Sequence, residues 1–143
     1  MTGSGPAGTP NAGTRRETPA WLVATLVGVG LALLGLVGFY FGIYLALGGQ
    51  PVLSGLVMFG LVPLVSLAAG WLLRPRFGAS WVKWTLVAFA AAAIAEVLAA
   101  VIVGLLGNPG LISRVGLLGV LQQALGLPFA LVAAWLAGRS GRR

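Results

Sequence analysis

Four nearly uninterrupted apolar runs, at about 20–47, 51–73, 81–106 and 115–138, take up most of the chain and leave little room for any other structure. Each reaches the roughly 20 residues that an α-helix needs to cross the hydrocarbon layer of a bilayer. No water is available in that layer to satisfy backbone N–H and C=O groups, so each run must bond within itself. Composition points the same way, since 59% of the 143 residues are hydrophobic and 8% are charged, a balance far from that of a soluble domain. The pattern predicts an all-α integral membrane protein, a four-helix bundle over residues 20–138. The first run, about 28 residues long, would measure roughly 42 Å as a helix and must tilt or extend beyond the hydrocarbon.

Residues 1–19, "MTGSGPAGTPNAGTRRETP", hold no large apolar side chain apart from the first methionine. They cannot bury enough surface to offset the entropy of ordering and read as a disordered tail. "TRRETPAW" is loosely similar to a twin-arginine signal, but the apolar stretch after it is too long for a signal core and no cleavage site follows. That stretch is expected to stay as a transmembrane helix. Between the runs lie three turn signals: "GGQP" at 48–51, "RPRFGAS" at 74–80 and "GNPGLIS" at 107–113. Residues 139–143, "RSGRR", form a basic C-terminal extension.

Four crossings put both termini on one side. Of the nine basic residues, Arg15, Arg16, Arg74, Arg76, Lys83, Arg139, Arg142 and Arg143 fall on that side and Arg114 falls opposite. The excess of positive charge predicts that the termini are cytoplasmic and that the protein lies in a plasma membrane. Trp21, Trp71, Trp81, Trp84 and Trp135 gather at the same ends, as amphipathic indoles do at the headgroup layer. The net charge of +7 would suit a nucleic-acid partner if it formed a face, but it is spent at helix ends, so no nucleic acid is expected. Eight Arg against one Lys, with abundant Ala and Gly, looks like coding from a GC-rich bacterial genome.

The chain has neither Cys nor His. Disulfides, thiol nucleophiles, haem attachment and nearly every transition-metal site are thereby excluded. With two acidic residues, Glu17 and Glu96, no nucleophile and base can be assembled and no Gly-rich loop follows a strand. The expectation is a protein that is not an enzyme and carries no cofactor or metal.

Two internal similarities suggest a duplicated two-helix hairpin. "AWLVATLVG" and "SWVKWTLVA" share Trp21, Thr25, Leu26, Val27 with Trp81, Thr85, Leu86, Val87, and Pro63 and Pro128 each precede an Ala-Ala pair by five residues. Gln50-Pro51 and Asn108-Pro109 mark both turns. Halves entering from one side would be related by a pseudo-two-fold axis along the membrane normal.

Small residues recur at helical spacing along the first run, at Gly28, Gly35, Gly38 and Gly42, where helices can approach closely. Such a stripe serves either packing within the bundle or a homo-oligomer interface. Pro63 and Pro128 lie inside their runs and should kink them, freeing carbonyls for a neighbour.

Glu96 stands in "AAAIAEVLAA", about ten residues from the end of the third run, or roughly 15 Å and near the bilayer midplane. An intramembrane charge costs at least ~2.5 kcal/mol, so Glu96 should be protonated or paired. Gln122 and Gln123 lie at a matching depth in the fourth run. Adjacent residues point about 100° apart, so one of the two should face Glu96. Tyr40 is within reach of the same level, and Arg114 is the natural counter-ion although it sits near the interface.

In size and number of spans the chain is similar to the small multidrug transporters. Their essential glutamate lies in the first helix, where this chain has no acid, so the resemblance stops at architecture. The polar motifs of the fluoride channels are absent too. Two functional expectations follow: an accessory or scaffold subunit that packs against itself or a larger membrane complex through Gly/Ala faces, or a small oligomeric proton-coupled transporter or channel that uses Glu96.

Overall fold

The computed structural model describes residues 18–107 and 110–140, with the side chains of 110–114 outside that description. Four α-helices follow one another: α1 (Ala20–Leu47), α2 (Pro51–Phe77), α3 (Trp81–Leu106) and α4 (Gly110–Ser140), with a single 3-10 turn at Gly78–Ser80. No strand occurs among the described residues. Three helical stretches are long and apolar enough to cross a membrane: Ala20–Leu47, the 56-residue stretch Pro51–Leu106 that contains both α2 and α3, and Val115–Ser140. The expected tail falls mostly on residues 1–17, and Asn108, Pro109 and residues 141–143 likewise lie outside the described residues.

The α1–α2 turn follows from its glycines. Gln50 N–H bonds the Leu45 carbonyl at 3.0 Å and Gly49 N–H the Ala46 carbonyl at 3.1 Å, the paired bonds of a Schellman cap. That cap needs a left-handed residue, and Gly49 supplies it at φ 78°. Pro51 then opens α2 at its first position, where a missing N–H is harmless.

The second turn differs from the expected charged loop at 74–80. α2 continues through Pro75 to Phe77. Proline removes one backbone bond, but in the last turn this loss is small beside what the extension buries. Phe77 is buried with Leu73, Ala24 and Ala88, and its ring lies 5.9 Å from that of Trp84. Gly78, at φ 50°, then breaks the helix, and its carbonyl accepts a bond from Arg74 Nη1. The chain folds back there into α3. At the other end α4 begins at Gly110, five residues before the expected start. Helices α2 and α4 run unbroken as α-helix through Pro63 and Pro128.

Large apolar side chains face outward, among them Leu33, Val37, Leu64, Ile94, Leu98 and Ile102, while Ala24, Ala32, Ala88, Ala92, Ala130 and Ala134 fill the interior. This inverts the soluble pattern and fits a membrane protein, where lipid already solvates leucine and close backbone approach holds helices together.

Each helix has two principal neighbours: α1 packs on α2 and α3, and α4 on α2 and α3. The glycine stripe of α1 is used within the chain. A β-carbon at Gly28 would strike the Ala88 carbonyl, one at Gly38 would lie 3.1 Å from Leu61 Cδ2, and one at Gly42 would strike Met58. Between α2 and α4, a β-carbon at Gly70 would run into the Ala130 backbone.

These contacts correct the expected symmetry. Gly28 meets Ala88 and Gly35 meets Glu96, so α1 and α3 run parallel; Gly70 meets Ala130 and Gly126 meets Ser66, so α2 and α4 do too. A two-fold axis along the bundle would place α1 across from α3 and α2 across from α4, and both pairs could not touch at one level. Here Gly35 touches Glu96 at the level where Gln122 bonds Met58. One hairpin is therefore displaced sideways from the other.

Candidate functional site

The inward stripe of α3 runs Thr85, Ala88, Phe89, Ala92, Glu96, Ala100 and Gly104, steps of three and four that keep one helix face to the core. Glu96 sits on that stripe and is 1% exposed. Its carboxyl group fits because two neighbours have no side chain. A β-carbon at Gly35 of α1 would come within 2.6 Å of Glu96 Oε1, and one at Gly119 of α4 would collide with Oε2. Glycine at both positions shapes the space that the carboxyl group occupies.

Gln123 Nε2 donates to Glu96 Oε1 at 2.6 Å. Gln122, one residue away and turned about 100°, donates instead to the backbone carbonyl of Met58 in α2 at 2.5 Å. Both glutamines are 3% exposed. Pro63 lacks the N–H that would occupy the Phe59 carbonyl, and the bond from Gln122 reaches the carbonyl next to it. At one level, then, Glu96, Gln123, Gln122, Met58 and Gly35 bring all four helices together.

Glu96 Oε2 and Gln123 Oε1 are buried and make no hydrogen bond. Beside them Gly35, Phe39, Glu96, Val115, Gly119 and Gln122 line a cavity of about 10 Å³, room for about one water. No substrate of even a few heavy atoms fits there.

Of the sequence-predicted site residues, Glu96, Gln122 and Gln123 are brought together. Tyr40 is not: it is 51% exposed, and its ring stands edge-on to Phe39 at 5.9 Å. Its chain neighbour Phe39 lines the cavity, and the turn of about 100° between adjacent helical residues carries Tyr40 to the outer face. The side chain of Arg114 lies outside the described residues. Two buried hydroxyls escaped the sequence reading, Ser66 Oγ and Thr85 Oγ1, both without a hydrogen-bond partner. Thr85 stands eleven residues before Glu96, about three helical turns, so the period alone places it on the same inner stripe.

No family model matches this chain, and no curated protein or solved structure is detectably similar to it.

Proposed function

We propose that the chain is a non-enzymatic, multi-pass membrane protein that crosses the bilayer four times with both termini cytoplasmic, and that it works as an accessory or scaffold subunit. The four crossings are supported by the reversal at Gly78, which sends α3 back along the bundle, and the orientation by Arg74, Arg76, Lys83 and Arg139 at one end. The observation that carries the functional reading is the enclosure of Glu96. Gly35, Gly119 and Gln123 close around it and leave about 10 Å³, so its polar group serves to tie helices rather than to hold a substrate. The Gly/Ala faces that would have met a partner are occupied by the chain's own helices. A partner must therefore meet the outward leucines, valines and aromatics.

A second reading, a small oligomeric proton-coupled transporter or channel, has one observation in its favour: Glu96 Oε2 has no hydrogen-bond partner and borders a space the size of one water. Proteoliposomes containing the wild type and Glu96→Gln separate the two. The scaffold reading expects both to fold and to show the same proton leak, measured with an internal pH dye. A proton flux in the wild type that Glu96→Gln abolishes, with its melting unchanged, would overturn the scaffold reading in favour of transport.

A further inference from the structure

Among the side chains described, Glu96 is the one carboxylate, and it is sealed in the middle of the bundle. Four described cations, Arg74, Arg76, Lys83 and Arg139, lie at the opposite extreme, at the end where α2 and α4 finish and α3 begins. Because α2 and α4 run parallel, two helix C-termini meet there, each carrying about half a negative charge. Three guanidinium groups stand beside them, so a positive excess is left over. Nothing acidic among the described residues balances it.

The basic end has a built cavity. About 530 Å³ opens between the last turns of α2 and α4, lined among others by Trp71, Arg74, Gly78, Gly138 and Ser140, a size within the roughly 300–1,000 Å³ of small-ligand sites. Arg74 is held there from three directions. Its Nη1 bonds the Gly78 carbonyl, its Cζ lies 5.2 Å from the centre of the Trp81 ring, and a β-carbon at Gly138 would come within 2.6 Å of its Nε. Gly138 thus leaves the gap in α4 that the guanidinium fills. A guanidinium has five N–H donors in a flat fork suited to phosphate, and one bond to Gly78 leaves most of them available.

The surroundings choose the source of the phosphate. Trp71 and Leu72, on the rim of the cavity, are 51% and 70% exposed, an apolar wall leading away from a cationic head. An acyl chain lies along such a wall, whereas a free anion gains nothing from it. Trp135, with Arg139 stacked over its ring at 3.9 Å, marks the same end as headgroup level.

We propose that this cavity between the ends of α2 and α4 binds the phosphate of an anionic phospholipid, with Arg74 as its principal ligand and Trp71 and Leu72 against the lipid tail. The proposal rests on the membrane reading above.

The test uses the full chain purified in a neutral detergent, with phosphatidylglycerol, phosphatidylcholine or inorganic phosphate added, and lipid binding read by native mass spectrometry. Phosphatidylglycerol should bind in preference to phosphatidylcholine. Arg74→Gln should weaken it about tenfold, as loss of a charge-assisted bond does, while Lys83→Gln, a cation at the same end outside the cavity, should change it little. Equal binding of the two lipids, or equal effects of the two substitutions, would overturn the proposal, and so would inorganic phosphate competing as well as the lipid. Should Arg74→Gln misfold, a photo-crosslinking phosphatidylglycerol on the wild type decides, since adducts must map to the ends of α2 and α4 and adducts elsewhere refute the site. Extraction of the chain from cells by carbonate wash would refute the membrane reading itself, separately from the lipid site.

Discussion

The bond between Gln123 and Glu96 can be weighed with a double-mutant cycle. Gln123→Leu removes the donor at 2.6 Å and leaves a carboxyl group, 1% exposed, with neither oxygen bonded. Leaving a buried polar group unsatisfied costs about 1–3 kcal/mol. Glu96→Leu leaves the Gln123 amide in the same position, 3% exposed, for a similar loss. Replacing both removes both unsatisfied groups, and apolar pairs of similar shape are nearly neutral or better. The double variant should therefore be more stable than the sum of the single losses by about 1 kcal/mol, since interhelical bonds in membranes average about 0.6 and reach about 1.7 kcal/mol. Reversible unfolding in mixed micelles, read by tryptophan fluorescence, measures the three variants against the wild type. Losses that add to within about 0.3 kcal/mol would show that this bond does not fasten α3 to α4, and the reading of Glu96 as a helix tie would fall with it.

Two further predictions concern packing and topology. Gly70→Ala gains about 1 kcal/mol of helix propensity but drives a β-carbon into the Ala130 backbone, where overpacking costs about 1–3 kcal/mol, so it should lower stability; Gly60→Ala, with nothing within 4 Å, should not. Equal melting temperatures for these two variants would refute the close approach of α2 to α4. The chain has no cysteine, so single cysteines in place of Gln50, exposed in the α1–α2 turn, and of Ser140 can be labelled in intact cells with a membrane-impermeant maleimide. The cysteine at position 50 should react from outside and that at position 140 only after lysis, and the reverse order would refute cytoplasmic termini.

The helices and the partners of Glu96 were legible in the sequence because both depend on period and depth, which a linear chain records. Run lengths gave α1 and α3 to the residue, and the level of Glu96 pointed to Gln122 and Gln123. What the sequence does not record is rotation about an axis and the order of neighbours. Tyr40 lies near the right depth but faces outward, 51% exposed. Matching motifs in the two halves suggest a repeat without saying whether the halves face each other or stand side by side. At Pro75 a local rule was outweighed: the ring ends helices in general, yet burial of Phe77 beside Leu73 and Ala24 carries α2 one turn further.

On the scaffold reading proposed above, a carboxyl group at the centre of an apolar chain follows from how its helices are sorted. In lipid the hydrophobic effect scarcely distinguishes one packing of four greasy helices from another, so specificity must come from close approach and from polar bonds. Alanine and glycine stripes alone permit sliding by a turn, because each small residue resembles the next one four positions along. Glu96 and Gln122–Gln123 break that degeneracy. A shift of one turn, about 5.4 Å, would carry the carboxyl group out of the gap left by Gly35 and Gly119 and away from Gln123, stranding three polar side chains in hydrocarbon. The registry so fixed involves α1, α3 and α4 at Glu96 and α2 through the Met58 carbonyl, which makes one level of the bundle the reference for the rest.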